Sequence, residues 1–339
     1  MHTMPDQLSS NDIVAWHPRP VQRIAQAIGG KRLGHAQLLC GVPGIGKRAL
    51  SRWLAQLLLC EQRRLDVPPG FCGECKSCLL LSAGTHPDFI PLAPEEAGKT
   101  IGVEAVRAFG ARLVLTAQLA GNRVGILDPA DAMTINAANA LLKSLEEPPA
   151  GTYLILVSDF PARLLPTVRS RCQRIELRPP ANELALQWLA PQVDDGPPQR
   201  WLDVARGAPL RALEYAHQER RAFRDTLFEN FAAVLGGGSD PVCAAGEYAR
   251  GQLPVLLACL DSWISDLIRL TAAGPEVALS NSDLGEALCR HYGKLDLHAL
   301  FGYLDKVRDA AASPVALNTQ LVVEELFICA SRLGSTAER

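Results

Sequence analysis

The stretch Gly41-Val-Pro-Gly-Ile-Gly-Lys-Arg48 constrains the fold more than any other part of the chain. It satisfies G-x-x-x-x-G-K through Lys47, the pattern of a phosphate-binding loop joining a strand to a helix. Gly41, Gly44 and Gly46 let the backbone curl around phosphates, and the Lys47 ammonium offsets their charge. Arg48 then stands where Ser or Thr would hold a magnesium ion. The loop therefore predicts a P-loop ATPase fold put to a purpose other than hydrolysis. Weak ATP binding is one expectation for it; the other is that Gly41–Lys47 persists only as a turn.

The surrounding pattern agrees with a parallel α/β sheet. Ala36-Gln-Leu-Leu-Cys40 is a short apolar run leading into the loop. Further strands are expected at Asp88–Ala93, Arg123–Asp128, Tyr153–Ser158 and Gln173–Leu177. Leu50, Trp53, Leu54, Leu57 and Leu58 recur at helical spacing behind the loop. Helices are also expected near Val103–Leu115, Thr134–Glu147 and Ala162–Ser170. Pro148-Pro149 ends the middle one, because proline lacks a donor and restricts the residue before it.

At 339 residues the chain exceeds one ordinary core. Pro179-Pro180 closes the first part. A smaller helical part follows, with segments at Glu183–Leu189, Trp201–Arg206 and Pro209–Gln218 and a turn around Asp194–Pro198. The rest is helical, interrupted at Gly236-Gly-Gly-Ser239. Its apolar stripes (Leu253, Leu256, Leu260, Ile264, Leu267; Leu300, Leu304, Val307, Ala311; Val322, Leu326, Cys329, Leu333) read as core packing in a helical bundle. Net charge is −2, which gives no indication of a chain that grips DNA by itself. No apolar run is long enough to cross a bilayer. Met1-His-Thr-Met-Pro-Asp-Gln lacks the basic end and apolar stretch of an export signal, so a cytoplasmic protein is expected.

Ten cysteines in such a chain argue against a disulfide framework. Cys72-Gly-Glu-Cys75-Lys-Ser-Cys78 forms C-x2-C-x2-C, and Cys60 lies upstream at the end of a helix. Four thiolates from a helix end and a tight knuckle close a tetrahedral shell, which predicts structural zinc. An iron–sulfur cluster and a redox dithiol are the alternatives. His86 is the alternative fourth ligand, although Gly84-Thr-His-Pro-Asp88 reads better as a turn entering a strand. The other six cysteines are expected to be small core residues.

A P-loop ATPase also needs an apolar strand ending in Asp, often followed by a water-activating Glu. Val124-Gly-Ile-Leu-Asp128 supplies the strand and the aspartate, but Pro129 occupies the glutamate position. Two catalytic functions are thus absent for independent reasons.

Gly34-His-Ala36, the altered loop, the cysteine knuckle and Gly84-Thr-His-Pro-Asp88 occur in that order. Asn139-Ala-Leu-Leu-Lys-Ser-Leu-Glu-Glu-Pro-Pro149 and Ser170-Arg-Cys172 follow. In this the chain resembles the subunits of the bacterial DNA polymerase III clamp loader, a branch of the AAA+ ATPases. The resemblance is dense to about Gln218 and thins beyond it, to helical pattern and the Asn318-Thr-Gln-Leu321 region. It implies an AAA+ nucleotide-binding-like domain at 1–178, with the zinc insertion at about 60–80. A helical lid at 179–218 and a C-terminal helical collar at 219–339 complete the arrangement.

Motor subunits of the family keep Ser or Thr after the loop lysine and Glu after the strand aspartate. Departure at both places implies a subunit of the polymerase holoenzyme without intrinsic ATPase. Its implied partners are motor subunits and a delta subunit in a hetero-oligomeric ring, with the sliding clamp and primed DNA reached through that complex. The resemblance further implies that Arg171 reaches, in trans, the γ-phosphate of ATP held by a neighbouring motor. Residue patterning alone would instead pair Arg171 with a carboxylate such as Glu146 or Glu147, and leave Arg169 and Arg174 solvated. Arg211 resembles a nucleotide-sensing lid arginine, with simple lid packing as its alternative. The competing functions are an ATP-hydrolysing motor subunit and a stand-alone zinc-bearing nucleic-acid-binding protein.

Overall fold

The computed structural model describes residues 8–335 except 97, 120, 194–196, 249–252 and 313–317. The segment Met1–Gln7 and part of the turn expected at 194–198 lie outside the described residues. Contacts divide the chain into two compact units, Met1–Leu184 and Ala185–Arg339. Residues 185–218 of the segment expected as lid share the second unit with the expected collar, while 179–184 belong to the first.

The first unit opens with helices α1 (Ser10–Trp16) and α2 (Pro18–Gly29), which the sequence reading did not anticipate. Ser9 caps α1 by accepting from the Asp12 amide, while the Asp12 side chain returns to the Ser9 amide. Then come β1 (Ala36–Cys40), α3 (Lys47–Leu59), α4 (Lys76–Ser82), β2 (Phe89–Leu92), α5 (Val103–Leu113), β3 (Arg123–Leu127), α6 (Ile135–Glu146), β4 (Thr152–Ser158), α7 (Pro166–Arg169) and β5 (Gln173–Glu176). The five strands form one parallel sheet in the order β2-β3-β4-β1-β5. All of β1 and β3 is buried, which explains their mainly apolar runs, with Gln37 and Arg123 as the buried polar exceptions. On one face, Phe109, Leu113, Leu141, Leu145 and Val168 pack over Ile90, Leu127 and Leu156. Helix α3 buries Leu50, Trp53, Leu54 and Leu57 and packs on β1, β3 and β4.

One expected helix is corrected. Residues 162–170 form a 3-10 turn at Pro161–Arg163 and the separate short α7, because Leu165 precedes Pro166 and is held extended at ψ 138°. The helix expected at Thr134–Glu147 forms as α6, with Thr134 as its N-cap, accepting from Ala137.

Helix α8 (Asn182–Leu189) spans the boundary between the units. Among its described residues the second unit is all helical, continuing with α9 (Pro198–Val204), α10 (Pro209–Ala216), α11 (Gln218–Leu235), α12 (Pro241–Ala245), α13 (Leu253–Ala273), α14 (Gly285–Cys289), α15 (Leu297–Ala312) and α16 (Thr319–Ser335). Trp263, Phe231 and Phe327 centre its core, and Trp263 meets Phe228 edge-on at 5.1 Å between ring centroids. The three predicted stripes face this core except at Ala311, which is exposed. Just past α9, Arg206 pairs with Asp261 of α13, while Arg200 within α9 meets Asp283 at 2.6 Å. Of the six cysteines expected in cores, Cys40 and Cys259 are fully buried. Cys243 is not a core residue, since it lies exposed in the first turn of α12.

Candidate functional site

All three glycines of the loop between β1 and α3, Gly41, Gly44 and Gly46, have positive φ, and at two of them a side chain would also meet a close neighbour. Gly41 has φ +151° and lies so close to Leu177 that a Cβ would strike the Leu177 carbonyl oxygen. Gly46 starts α3 at φ 88°, with Leu8, Ile13 and Trp16 packed where a side chain would project. The N-terminal helices are thus folded against the loop. His17 fixes the contact: its Nε2 donates to the Ile45 carbonyl at 2.7 Å. Burial pushes the His17 pKa down, so the ring is a neutral donor.

Lys47 is turned inward rather than offered to a ligand. Its Nζ donates to the carbonyls of Gly41 (2.7 Å) and Val42 (2.5 Å), pairs with Asp159 at 2.5 Å, and is 4% exposed. Arg48 does not leave an empty position either. Its Nε lies 2.8 Å from Asp128 Oδ2, so a guanidinium supplies the positive charge that a metal ion would bring to this aspartate. Burial raises the Asp128 pKa, Arg48 opposes that rise and the Asp159 charge adds to it. The structure therefore brings Gly41, Lys47, Asp128 and Asp159 together at the C-terminal edge of the sheet. Gly44 lies within the same turn. Asp159 escaped the sequence reading. Its one signal is position: it follows the apolar run of β4, the strand beside β1.

Arg171 lies at the other edge. Register aligns Gln173 of β5 with Gln37 of β1, which places Arg171 near the level of His35, before β1 begins. At about 3.3 Å per residue, that is roughly 20 Å along the strand direction from Gly41. The guanidinium is held at two points: NH2 meets Glu146 at 2.6 Å and NH1 donates to the Thr167 carbonyl at 3.1 Å. The pairing expected from residue patterning is present. Arg174, expected to be solvated, is exposed, although its Nε reaches Cys40 Sγ at 3.1 Å.

Cys60, Cys72, Cys75 and Cys78 converge, with all four sulfurs within 4.8 Å of one another. Tetrahedral zinc with bonds of about 2.3 Å needs sulfurs about 3.8 Å apart. Cys60–Cys72 at 3.6 Å, Cys72–Cys78 at 3.9 Å and Cys60–Cys75 at 4.0 Å fit that shell. Amides already point at the sulfurs: Cys75 N lies 3.3 Å from Cys72 Sγ, and Cys72 N lies 3.4 Å from Cys60 Sγ. The Cys75 and Glu74 amides draw the Cys72 pKa down to about 6, while burial pushes Cys60 and Cys78 up. The cluster can hold a metal ion. His86 is outside it, with Nδ1 accepting from the Asp88 amide at 3.1 Å.

Asp88 is the centre of a tether that the motif Gly84-Thr-His-Pro-Asp88 did not reveal. Its carboxylate takes the amides of Gln118 and Leu119 and pairs with Arg123 at 2.8 Å, at 0% exposure against 4% for Arg123. Arg211 belongs to the second unit, where its guanidinium lies over the Tyr215 ring at 5.6 Å.

A family profile described as "DNA polymerase III, delta subunit" matches residues 16–181. The "DNA polymerase III subunit delta'" of Pseudomonas aeruginosa is 37% identical over 324 residues, covering 94% of this chain and 97% of the relative. The protein of the same description from Escherichia coli is 34% identical, covering 92% and 94%. The chain belongs to the DNA polymerase III delta' family. For a delta' protein, the motif segments quoted from the sequence are now spatially related. His35 donates to the Leu145 carbonyl of α6 at 2.8 Å, Glu146 holds Arg171, and Gln173 accepts from the Gly34 amide. Among the described residues of this family member, no helix is long and apolar enough to cross a membrane.

Proposed function

We propose that this delta' family member is a clamp-loader component that does not hydrolyse ATP, and that it lends Arg171 to a neighbouring motor subunit. The observation that carries this reading is the placement of Arg171 at the opposite sheet edge from its own loop. No phosphate held at Gly41–Lys47 is within its reach, so a phosphate partner must come from another molecule. A guanidinium stabilises charge spread over a transferring phosphoryl group, and such fingers accelerate related NTPases by roughly 10³–10⁵-fold.

The chain's own nucleotide machinery supports a stationary role. Arg48 neutralises the would-be metal ligand Asp128, and Pro129 offers no base. The four cysteines would hold structural zinc, with no open coordination position and hence no catalytic task. Arg211 would pack the lid segment 179–218, and the helices beyond 219 would join the delta and motor subunits as a collar. Loading of the sliding clamp onto primed DNA is then an activity of the assembled ring in the cytoplasm.

The test is ATPase of the complex assembled with its motor partners. Arg171→Ala is expected to leave the chain folded and depress turnover, while Lys47→Ala changes it little. Full turnover with Arg171→Ala overturns the trans role. Magnesium-dependent hydrolysis by the isolated chain would instead make it a motor.

A further inference from the structure

We propose that Glu146 is a positioning residue for Arg171, fixing the guanidinium before a partner's phosphate arrives. The proposal rests on the reading of Arg171 given above. A carboxylate as the last residue of α6 works against that helix, whose C-terminal end favours cations. Its use therefore lies elsewhere, and it faces Arg171 at 2.6 Å. Glu147, the next residue, is the C-cap, and among the described residues it makes no such contact with Arg171.

Two engaged groups hold the guanidinium from two elements, Glu146 from α6 and the Thr167 carbonyl from α7. A guanidinium carries five N–H donors, so three stay available for an anionic oxygen. The base of the tether is itself braced. His35 donates to the carbonyl of Leu145, the residue before Glu146, and Pro148-Pro149 stops the chain from continuing the helix. A long, rotamer-rich side chain is thus ordered in advance, so that less freedom is lost when it meets phosphate. The pair is solvent-accessible, at 37% for Arg171 and 49% for Glu146. An exposed pair contributes little to folding, which separates a positioning role from a structural one.

The experiment is steady-state ATPase of the assembled complex carrying Glu146→Ala, Glu146→Gln, Arg171→Ala, or Glu146→Ala with Arg171→Ala. Glu146→Ala is expected to lower kcat about two- to fivefold, the range an exposed ion pair can carry, with KM for ATP unchanged. Glu146→Gln, which keeps an acceptor oxygen at the same reach, should recover most of the loss. On the Arg171→Ala background, Glu146→Ala should add nothing, since it acts only through that arginine. If Arg171→Ala lowers turnover but Glu146→Ala does not, or raises it, the positioning role falls and the finger stands. An equal loss from Glu146→Ala in both backgrounds makes Glu146 structural and also overturns the proposal. If Arg171→Ala is itself silent, the reading beneath it has failed.

Discussion

The two units of this chain solve different problems, and their charge shows it. The first carries 20 basic against 16 acidic residues, the second 14 against 20. The overall charge of −2 averages a cationic sheet unit with an anionic helical one. An argument from net charge therefore describes neither. The first unit places charged side chains singly, at loop ends: Lys47 on Asp159, Arg48 on Asp128, Arg171 on Glu146 and Arg123 on Asp88. The second is built around aromatic and aliphatic packing centred on Trp263. It also holds a buried polar network, in which Asn281 bonds Asp266 and Ser262 and accepts from Arg224. The lesson is that chemistry is concentrated where strands end, while the helical unit is specified mainly by shape.

Metal removal should separate the units most strongly. Zinc contributes roughly 10–16 kcal/mol to small zinc-dependent folds, and the segment between Cys60 and Cys78 has few apolar anchors of its own. Chelation, or Cys75→Ser, is expected to expose residues 61–80 to protease while peptides of the second unit keep their protection. Metal analysis should find about one zinc per chain. A visible iron-dependent absorption band, or unchanged protection at 61–80 after chelation, breaks this part of the contrast.

Core substitutions come next in size. Asp88→Ala leaves the Arg123 charge buried without its carboxylate, a loss of about 3–5 kcal/mol. Trp263→Ala empties the centre of the helical unit at a similar cost, about 3–5 kcal/mol. Hydrogen exchange should show each loss concentrated in its own unit. If Trp263→Ala loosens the strands around Asp88 as much as its own helices, the two-unit description is too simple.

Legibility followed the same divide. Strands β1, β3 and β4 were readable because strands buried on both faces run mainly apolar, whereas β2 and β5 are the sheet edges and the exposed Gln173-Arg-Ile-Glu176 carries no such run. The cysteine cluster was readable with its fourth member, because Cys60 ends a helix that the phosphate loop had already located. The stripes of the helical unit were readable from the 3.6-residue period alone. Pairings between distant residues were not. Nothing local in Asp88 or Arg123 announces a buried ion pair, and Asp159 is one carboxylate after a strand. Helices α1 and α2 were missed because α1 is short and prolines at 18 and 20 interrupt the pattern. The contacts of Ile13, Trp16 and His17 with the loop were missed with them. For Arg171, the ion pair and the trans role had looked like rivals; the geometry makes them compatible.

The smallest expected effect concerns Asp159 and the phosphate loop. A P-loop lysine must give its charge to a phosphate, and here Asp159 already takes it. Asp159→Asn keeps the size of the side chain and removes the competing charge. Because Asp159 is 37% exposed, water screens the pair, and release should raise nucleotide affinity no more than about fivefold. On the proposed reading neither protein should hydrolyse ATP, since Arg48 and Pro129 are untouched in both. Titration of a fluorescent ATP analogue into the isolated chain and the variant reads the change directly. A measurable gain would mean that the first unit retains a ligand site held closed by its own carboxylate. No binding by either protein, at any concentration reached, would mean that Gly41–Lys47 survives only as the turn joining β1 to α3, and the sheet unit's working chemistry would then lie wholly at the Arg171 edge.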